Sequence, residues 1–255
     1  MGKSSFRTAL VTGSAKRVGR AIIEDLAKDG FSVAIHANGS LDEAEQIAAA
    51  LRQQGKSAIA LRANLSDQAE AENLLEAAAD ALGPVDLLVN NASVFENDSA
   101  DTFDAQAFDR HFSIHVRAPS ILSAKFARML PEDAKGMIVN IVDQRVWSLT
   151  PFFYSYTLSK AALWTATQTM AQSFAPRIRV NAIGPGPTIR SERQSEEDFK
   201  AQVDGLIMKA GPRLEEFGRA IRFLYETPSI TGQMIALDGG QHLAWQTPDV
   251  AEIRE

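Results

Sequence analysis

The chain has 255 residues, 45% of them hydrophobic, a formal net charge of −6 and no cysteine. That length suits one α/β domain with a core that needs no covalent staple, and the missing thiols exclude disulfides and Cys-ligated metals and point to a reducing compartment, the cytoplasm. The mildly acidic balance gives no reason to expect nucleic acid or membrane as a partner, and no run of 18 apolar residues is present to span a bilayer.

The start of the chain carries three patterns that lead nowhere. Met1-Gly2 resembles a myristoylation signal, but Phe6 stands where Ser or Thr is wanted. Gly2-Lys3-Ser4 resembles the end of a P-loop without its upstream strand and glycine. The apolar run Ala9-Leu10-Val11 stops at Thr12-Gly13, too soon for a signal peptide.

Beyond that point short apolar runs alternate with longer amphipathic ones. Runs at 8–11, 32–35, 58–62, 85–89, 137–142, 179–183 and 234–237 are β-rich and nearly continuous in apolar residues, as buried parallel strands are. Helices are expected over 18–29, 41–54, 68–82, 105–130, 153–174, 196–208 and 215–225, with Gly30 and Gly55 stopping the first two. Ser40-Leu41-Asp42-Glu43 reads as a capping box. Strand–helix alternation predicts right-handed crossovers and a doubly wound parallel sheet with helices on both faces. There is no repeat and no linker, so one domain over 1–255 is expected, with a charged segment near 190–210 and a polar tail at 245–255.

The first strand runs into Thr12-Gly13-Ser14-Ala15-Lys16-Arg17-Val18-Gly19, and a helix follows. Such a turn aims backbone N–H groups and the positive end of the helix dipole at an anion. Gly13 allows the turn and Gly19 allows close helix–sheet packing, which predicts a dinucleotide. An NAD site places Asp or Glu about 20 residues on, to hold the ribose 2′-hydroxyl. Here the second strand leads into His36-Ala37-Asn38-Gly39-Ser40, with no acid before Asp42. Lys16 and Arg17 suit a 2′-phosphate instead, so NADPH is expected, with Arg17 as the group that selects it.

Tyr156 and Lys160 lie four apart at the start of a helix, on one face. An ammonium beside a phenol favours the phenolate, which makes Tyr156 a candidate general acid or base. The preceding strand ends at Asp143, and Asn90 to Ser93 and Asn181 to Gly186 lie at other strand ends, where open α/β sheets bind ligands.

TGSAKRVG at 12–19, ANLSD at 63–67, NNAS at 90–93, YTLSK at 156–160 and NAIGPGPT at 181–188 stand in the order found in short-chain dehydrogenases/reductases, and the chain resembles that family over essentially its full length. The resemblance implies a seven-stranded parallel sheet, hydride transfer from nicotinamide, and commonly a homotetramer, with a dimer as the smaller possibility. It implies cofactor contacts from Asn64 and Leu65 to adenine, from Asn91, Ala92 and Ser93, from Pro185 and Gly186 at the carboxamide, and from Thr188 near the pyrophosphate. Val18, Lys16, Ser14, His36, Asn38 and Ser40 complete the expected set.

The chain departs from the usual family pattern at four places. Asp143 replaces the serine, Arg17 stands where most members keep glycine, His115 replaces a catalytic asparagine before Ala118-Pro119, and Asn64 stands where the family usually has Asp, with an amide that can still contact adenine. Arg17 and Asp143, with NNASVF at 90–95, are similar to the pteridine reductase branch. That branch implies Phe95 stacked on a flat pterin ring, Asp143 and Tyr156 handling protons on ring nitrogens, and Arg17 near cofactor phosphate and substrate. His115 then either replaces the proton relay or weakens it. His111 and His115 lack the glutamate of a zinc motif, so no metal is expected. A generic carbonyl reductase and a non-catalytic NADP-binding sensor are the alternatives.

Overall fold

Strand β1 (Thr8–Val11) divides its side chains between two cores: Ala9 and Val11 join one, Leu10 the other. The same period of two runs through β2 (Ser32–Ala37), β4 (Leu87–Asn90) and β5 (Gly136–Ile141). Both faces of the sheet are therefore buried, which is why these strands read as continuous apolar runs rather than alternating ones.

The computed structural model describes residues 6–190 and 194–245. All seven strands, with β3 (Ala58–Arg62), β6 (Ile178–Pro185) and β7 (Met234–Leu237), pair in parallel in the order β3-β2-β1-β4-β5-β6-β7. Helices α1 (Arg17–Lys28), α2 (Leu41–Gln53) and α8 (Leu214–Glu226) cover one face. Helices α3 (Gln68–Leu82), α5 (Ala118–Met129) and α6 (Tyr154–Phe174) cover the other. The order reverses between β1 and β4, the switch point at whose carboxyl ends sheets of this kind bind ligands.

The helix expected over 105–130 runs through as α4 (Ala105–Phe112), a wide π-turn at Ser113–Arg117 and α5, with right-handed helical backbone at both joins. Pro119 explains the wide turn: it cannot donate to the carbonyl four residues back, that of His115, and its ring crowds that carbonyl. The helix expected to 208 ends earlier, as α7 (Glu196–Asp204). The capping box at Ser40 does not form, since the Ser40 side chain caps nothing and Glu43 turns away to Lys16. Among the described residues no helix is long and apolar enough to cross a membrane. The expected tail lies outside the described residues apart from Trp245, as do 191–193 of the expected charged segment.

Candidate active site

The turn after β1 is held by buried hydrogen bonds. His36 Nδ1 accepts from the Gly13 amide at 2.9 Å while its Nε2 faces the Ala63 carbonyl at 3.0 Å, which fixes the neutral Nε2–H tautomer. Burial lowers the His36 pKa and agrees with a neutral ring. Ser14 is fully buried: its amide donates to the His36 carbonyl and its hydroxyl to that of Val11. The polar groups of both residues hold the turn from inside the protein.

Gly13 has φ +61°, and a Cβ there would lie 2.8 Å from Ala92 Cα. A Cβ on Gly19 would lie 2.5 Å from the Gly13 carbonyl oxygen and 2.6 Å from Asn91 Nδ2. Asn91 donates from Nδ2 to the carbonyls of Thr12 and Gly13, and the amides of Asn91 and Ala92 both donate to Thr12 Oγ1. These contacts lock the ends of β1 and β4 together beneath the turn. No side chain caps the amino end of α1. Its first-turn amides, from Arg17 to Gly19, lack intrahelical acceptors, and that is a cradle for a phosphate.

Lys16 and Arg17 part company. Lys16 Nζ pairs with Glu43 Oε1 at 2.7 Å, on the side of β2 and α2, where the sequence places Asn38 and Ser40. Arg17 reaches the other way, donating to the carbonyls of Ile189 at 3.0 Å and Arg190 at 3.3 Å, in the loop after β6. In this geometry Arg17 points to the loop after β6 and Lys16 to the start of α2. Arg17 has φ +53°, a left-handed backbone that glycine adopts freely and arginine adopts under strain. The position where related chains keep glycine thus still demands its backbone, and carries a guanidinium besides.

At the end of β5, Asp143 Oδ2 accepts from the Tyr156 hydroxyl at 2.9 Å, and Oδ1 accepts from the Arg145 amide at 2.9 Å. Burial raises the Asp143 pKa from its ordinary value, against the opposing pull of Arg145 and the other neighbours. Lys160 is buried, donates to the Ile141 carbonyl at 2.8 Å, and sits 5.6 Å from the centre of the Tyr156 ring. Burial lowers its pKa to about 8. The sequence suggested that Lys160 would bring the phenol down. Here burial first, and the Asp143 carboxylate second, push Tyr156 well above the usual phenol range. The tyrosine of this state is a proton donor held on Asp143.

Phe95 is 40% exposed, stacks on Phe153 with centroids 4.4 Å apart, and meets the Tyr156 ring edge-on at 4.7 Å. His115 is 1% exposed and accepts at Nε2 from the Val94 amide at 3.2 Å, with Ser93 Oγ also 2.9 Å from that nitrogen. Burial, with Lys160 and His111 nearby, holds its pKa well below the ordinary value. Both ring nitrogens of His115 are thus engaged within the protein, Nε2 by Val94 and Ser93 and Nδ1 by Ser159 Oγ.

The other expected residues lie on segments that follow or end strands at the same edge of the sheet. Asn64 Oδ1 accepts from the Ser66 amide, leaving its Nδ2 without a partner in that turn, while Leu65 is buried and can offer only its backbone. Gly186 lies so close to Asp238 that a Cβ would come within 2.6 Å of its Cα. Thr188 Oγ1 donates to the Gly186 carbonyl at 3.0 Å, and Pro185 ends β6. Two supports carried no function in the sequence reading: Asp98, whose carboxylate accepts from the Ser155 amide at the start of α6, and Ser159, whose hydroxyl lies 2.8 Å from His115 Nδ1. The repeated spacing of four, His111 with His115 and Ser155 with Ser159, was the available signal for them.

The model of the short chain dehydrogenase family matches residues 7–211. The chain belongs to the short-chain dehydrogenase family. Its curated relatives include glucose 1-dehydrogenase 2 of Bacillus subtilis, 31% identical over 247 residues that cover 93% of this chain and 95% of the relative. Among solved structures it is similar to FolM alternative dihydrofolate reductase 1 from Brucella canis, complexed with NADP, at 56% identity and a TM-score of 0.93. That match covers 95% of this chain and 96% of the other. A blue fluorescent protein from a metagenomic library, in complex with NADPH, is 29% identical with a TM-score of 0.85, covering 91% of this chain and 96% of that one. The short-chain dehydrogenase fold thus sets Tyr156, Lys160 and Asp143 at the same end of the sheet as the glycine turn.

Proposed function

We propose that this short-chain dehydrogenase is an NADPH-dependent reductase of pteridine-like rings, of the dihydropterin or dihydrofolate type. The observation that carries the reading is the Tyr156–Asp143 hydrogen bond at the end of β5. A serine there would donate to a developing alkoxide, whereas an ionised carboxylate would repel it. A carboxyl held above its usual pKa by burial keeps a proton for a ring nitrogen. Similarity to an alternative dihydrofolate reductase complexed with NADP, at 56% identity, supports the same reading.

The residues present fit the cofactor. The glycine turn leaves no room for side chains at Gly13 and Gly19, and the uncapped start of α1 takes a pyrophosphate. Lys16, with Asn38 and Ser40, faces the 2′-phosphate; Asn64 and the Leu65 backbone face adenine; Pro185, Gly186 and Thr188 face the nicotinamide end, beside Ala92 and Ser93. When bound, reduced nicotinamide supplies the hydride. Phe95 orients the flat ring, Asp143 holds the proton that the ring nitrogen receives, and the Tyr156 hydroxyl, donating to Oδ2, keeps Asp143 aligned. Lys160 lies behind the tyrosine, where its charge favours the phenolate over the phenol. Arg17 joins the phosphate turn to the start of the 190–210 segment, which is read as a substrate lid; none of the side chains of α7 in that segment is buried. The reading includes one domain over 1–255, a cytoplasmic location from the thiol-free sequence, and a homotetramer or dimer from the family likeness.

Steady-state oxidation of NADPH with dihydrofolate and dihydropterins, set against simple ketones and acetoacetyl thioesters, tests it. We expect kcat/KM for the ring substrates to lead by about two orders of magnitude. Preference for ketones would make the chain a carbonyl reductase, as would be expected of a family member with serine in place of Asp143.

A further inference from the structure

The segment after β4 alternates. Ser93, Phe95 and Asn97 are exposed, Val94 and Glu96 are half-buried, and Asp98 is buried. Each of the three inward residues is fastened to a different point. The Val94 amide donates to His115 Nε2 and the Glu96 amide to His111 Nε2, both at 3.2 Å. The Asp98 carboxylate accepts from the Ser155 amide at 3.0 Å, while its carbonyl accepts from the Tyr154 amide at 3.1 Å. The two imidazoles are in turn fixed from behind. His111 Nδ1 lies 2.8 Å from Ser155 Oγ, and His115 Nδ1 lies 2.8 Å from Ser159 Oγ, whose own proton goes to the Tyr156 carbonyl. Backbone amides can only donate, so each Nε2 must be an acceptor, and each ring is the neutral Nδ1–H tautomer.

The same two rings stack on each other at 5.6 Å and meet the Tyr156 ring edge-on, at 5.8 Å for His111 and 5.4 Å for His115. Phe95 meets that ring from the segment they hold. Pinning residues 94 and 96 from one side turns the side chain of 95 to the other, because neighbouring side chains of an extended segment alternate. The wide turn at Ser113–Arg117 carries His115 into this row.

We propose that His111 and His115 are positioning residues that set substrate affinity, by clamping the Glu96 and Val94 amides so that Phe95 is presented beside Tyr156. The proposal rests on the reading that Phe95 carries the substrate ring. It assigns no proton transfer to either histidine: their work is done by acceptor lone pairs on the backbone.

The test compares His115→Leu, His115→Gln, His111→Leu and Phe95→Ala, each measured for KM and kcat with dihydrofolate and for NADPH affinity by fluorescence titration. Leucine removes the acceptor, whereas the glutamine carbonyl can replace Nε2. Loss of one buried acceptor should raise the dihydrofolate KM about tenfold in either leucine variant. NADPH affinity should stay within about twofold of the parent, and glutamine should recover most of the loss. If His115→Leu does not fold, the same contrast is read from His111→Leu, through Glu96. A KM raised by Phe95→Ala but unmoved by both leucine variants overturns the clamp and leaves the substrate reading intact. A KM unmoved by Phe95→Ala overturns that reading and the clamp with it. Equal losses of NADPH affinity and of dihydrofolate affinity, unrescued by glutamine, would mean general loosening of the fold and overturn the proposal.

Discussion

Lys16 and Arg17 adjoin in sequence and point to opposite halves of the crevice, Lys16 to Glu43 at the start of α2 and Arg17 to the carbonyls of Ile189 and Arg190 beyond β6. The strand order sets β2 and β6 on opposite sides of β1, so the two cations of one dipeptide face opposite halves of the sheet's end. On the proposed reading, cofactor choice and cofactor–substrate coupling fall to different residues. Lys16→Ala should raise the Michaelis constant for NADPH about tenfold, with little effect on that for NADH, because it removes one charge-assisted contact to the 2′-phosphate. Arg17→Ala should weaken both cofactors alike and raise the substrate KM. Steady-state kinetics with the two cofactors checks this; selective loss of NADPH in Arg17→Ala would reverse the assignment.

Asp143 is expected to impose a fall in rate on the alkaline side. Burial raises its folded pKa, so the proton persists where an ordinary aspartate has lost it and leaves as pH rises through the raised value. In Asp143→Asn that limb should vanish, with kcat down by about 10²–10⁴ because an amide cannot deliver the proton. A second fall near pH 8, from neutralisation of Lys160, should remain in the variant. The pH profile of kcat for both proteins checks the pair.

Tyr156→Phe removes the donor to Asp143 and leaves the ring that Phe95, His111 and His115 pack against. Turnover of dihydrofolate should drop by about 10²-fold or more while NADPH still binds. Single-turnover kinetics would register the loss; unchanged turnover would show that the phenol is only structural.

Gly19→Ala should damage the turn itself. The new methyl would lie within 3 Å of the Gly13 carbonyl oxygen, Asn91 Nδ2 and Ser14 Cα, two of them backbone atoms that cannot swing aside. A cost of about 1–3 kcal/mol in stability is expected, together with loss of the melting-temperature rise on adding NADP+. Calorimetry with and without the cofactor measures both.

The strands were legible because burial on both faces makes each a continuous apolar run, and the glycine turn because its spacing is dictated by sterics at Gly13 and Gly19. Tyr156, Lys160 and Asp143 were legible from their places at the ends of elements. What escaped was direction. Sequence puts two cations in the turn but not the β-side each one faces, and it puts His36 beside the cofactor without revealing that its ring is spent on Gly13 and Ala63. One helix over 105–130 was legible from its apolar periodicity, but the wide turn at Ser113–Arg117 ahead of Pro119 was not. The sign of the Tyr156 shift depends on burial and on Asp143 outweighing a lysine that bonds the Ile141 carbonyl, and no spacing encodes that balance.

The most direct test is a structure of the ternary complex with NADP+ and a pterin. The account predicts the ring flat between the nicotinamide and Phe95, with the Asp143 carboxyl on a ring nitrogen and the Tyr156 hydroxyl still on Asp143. A pterin bound elsewhere, or a nicotinamide whose reactive carbon faces away from Tyr156, would contradict it.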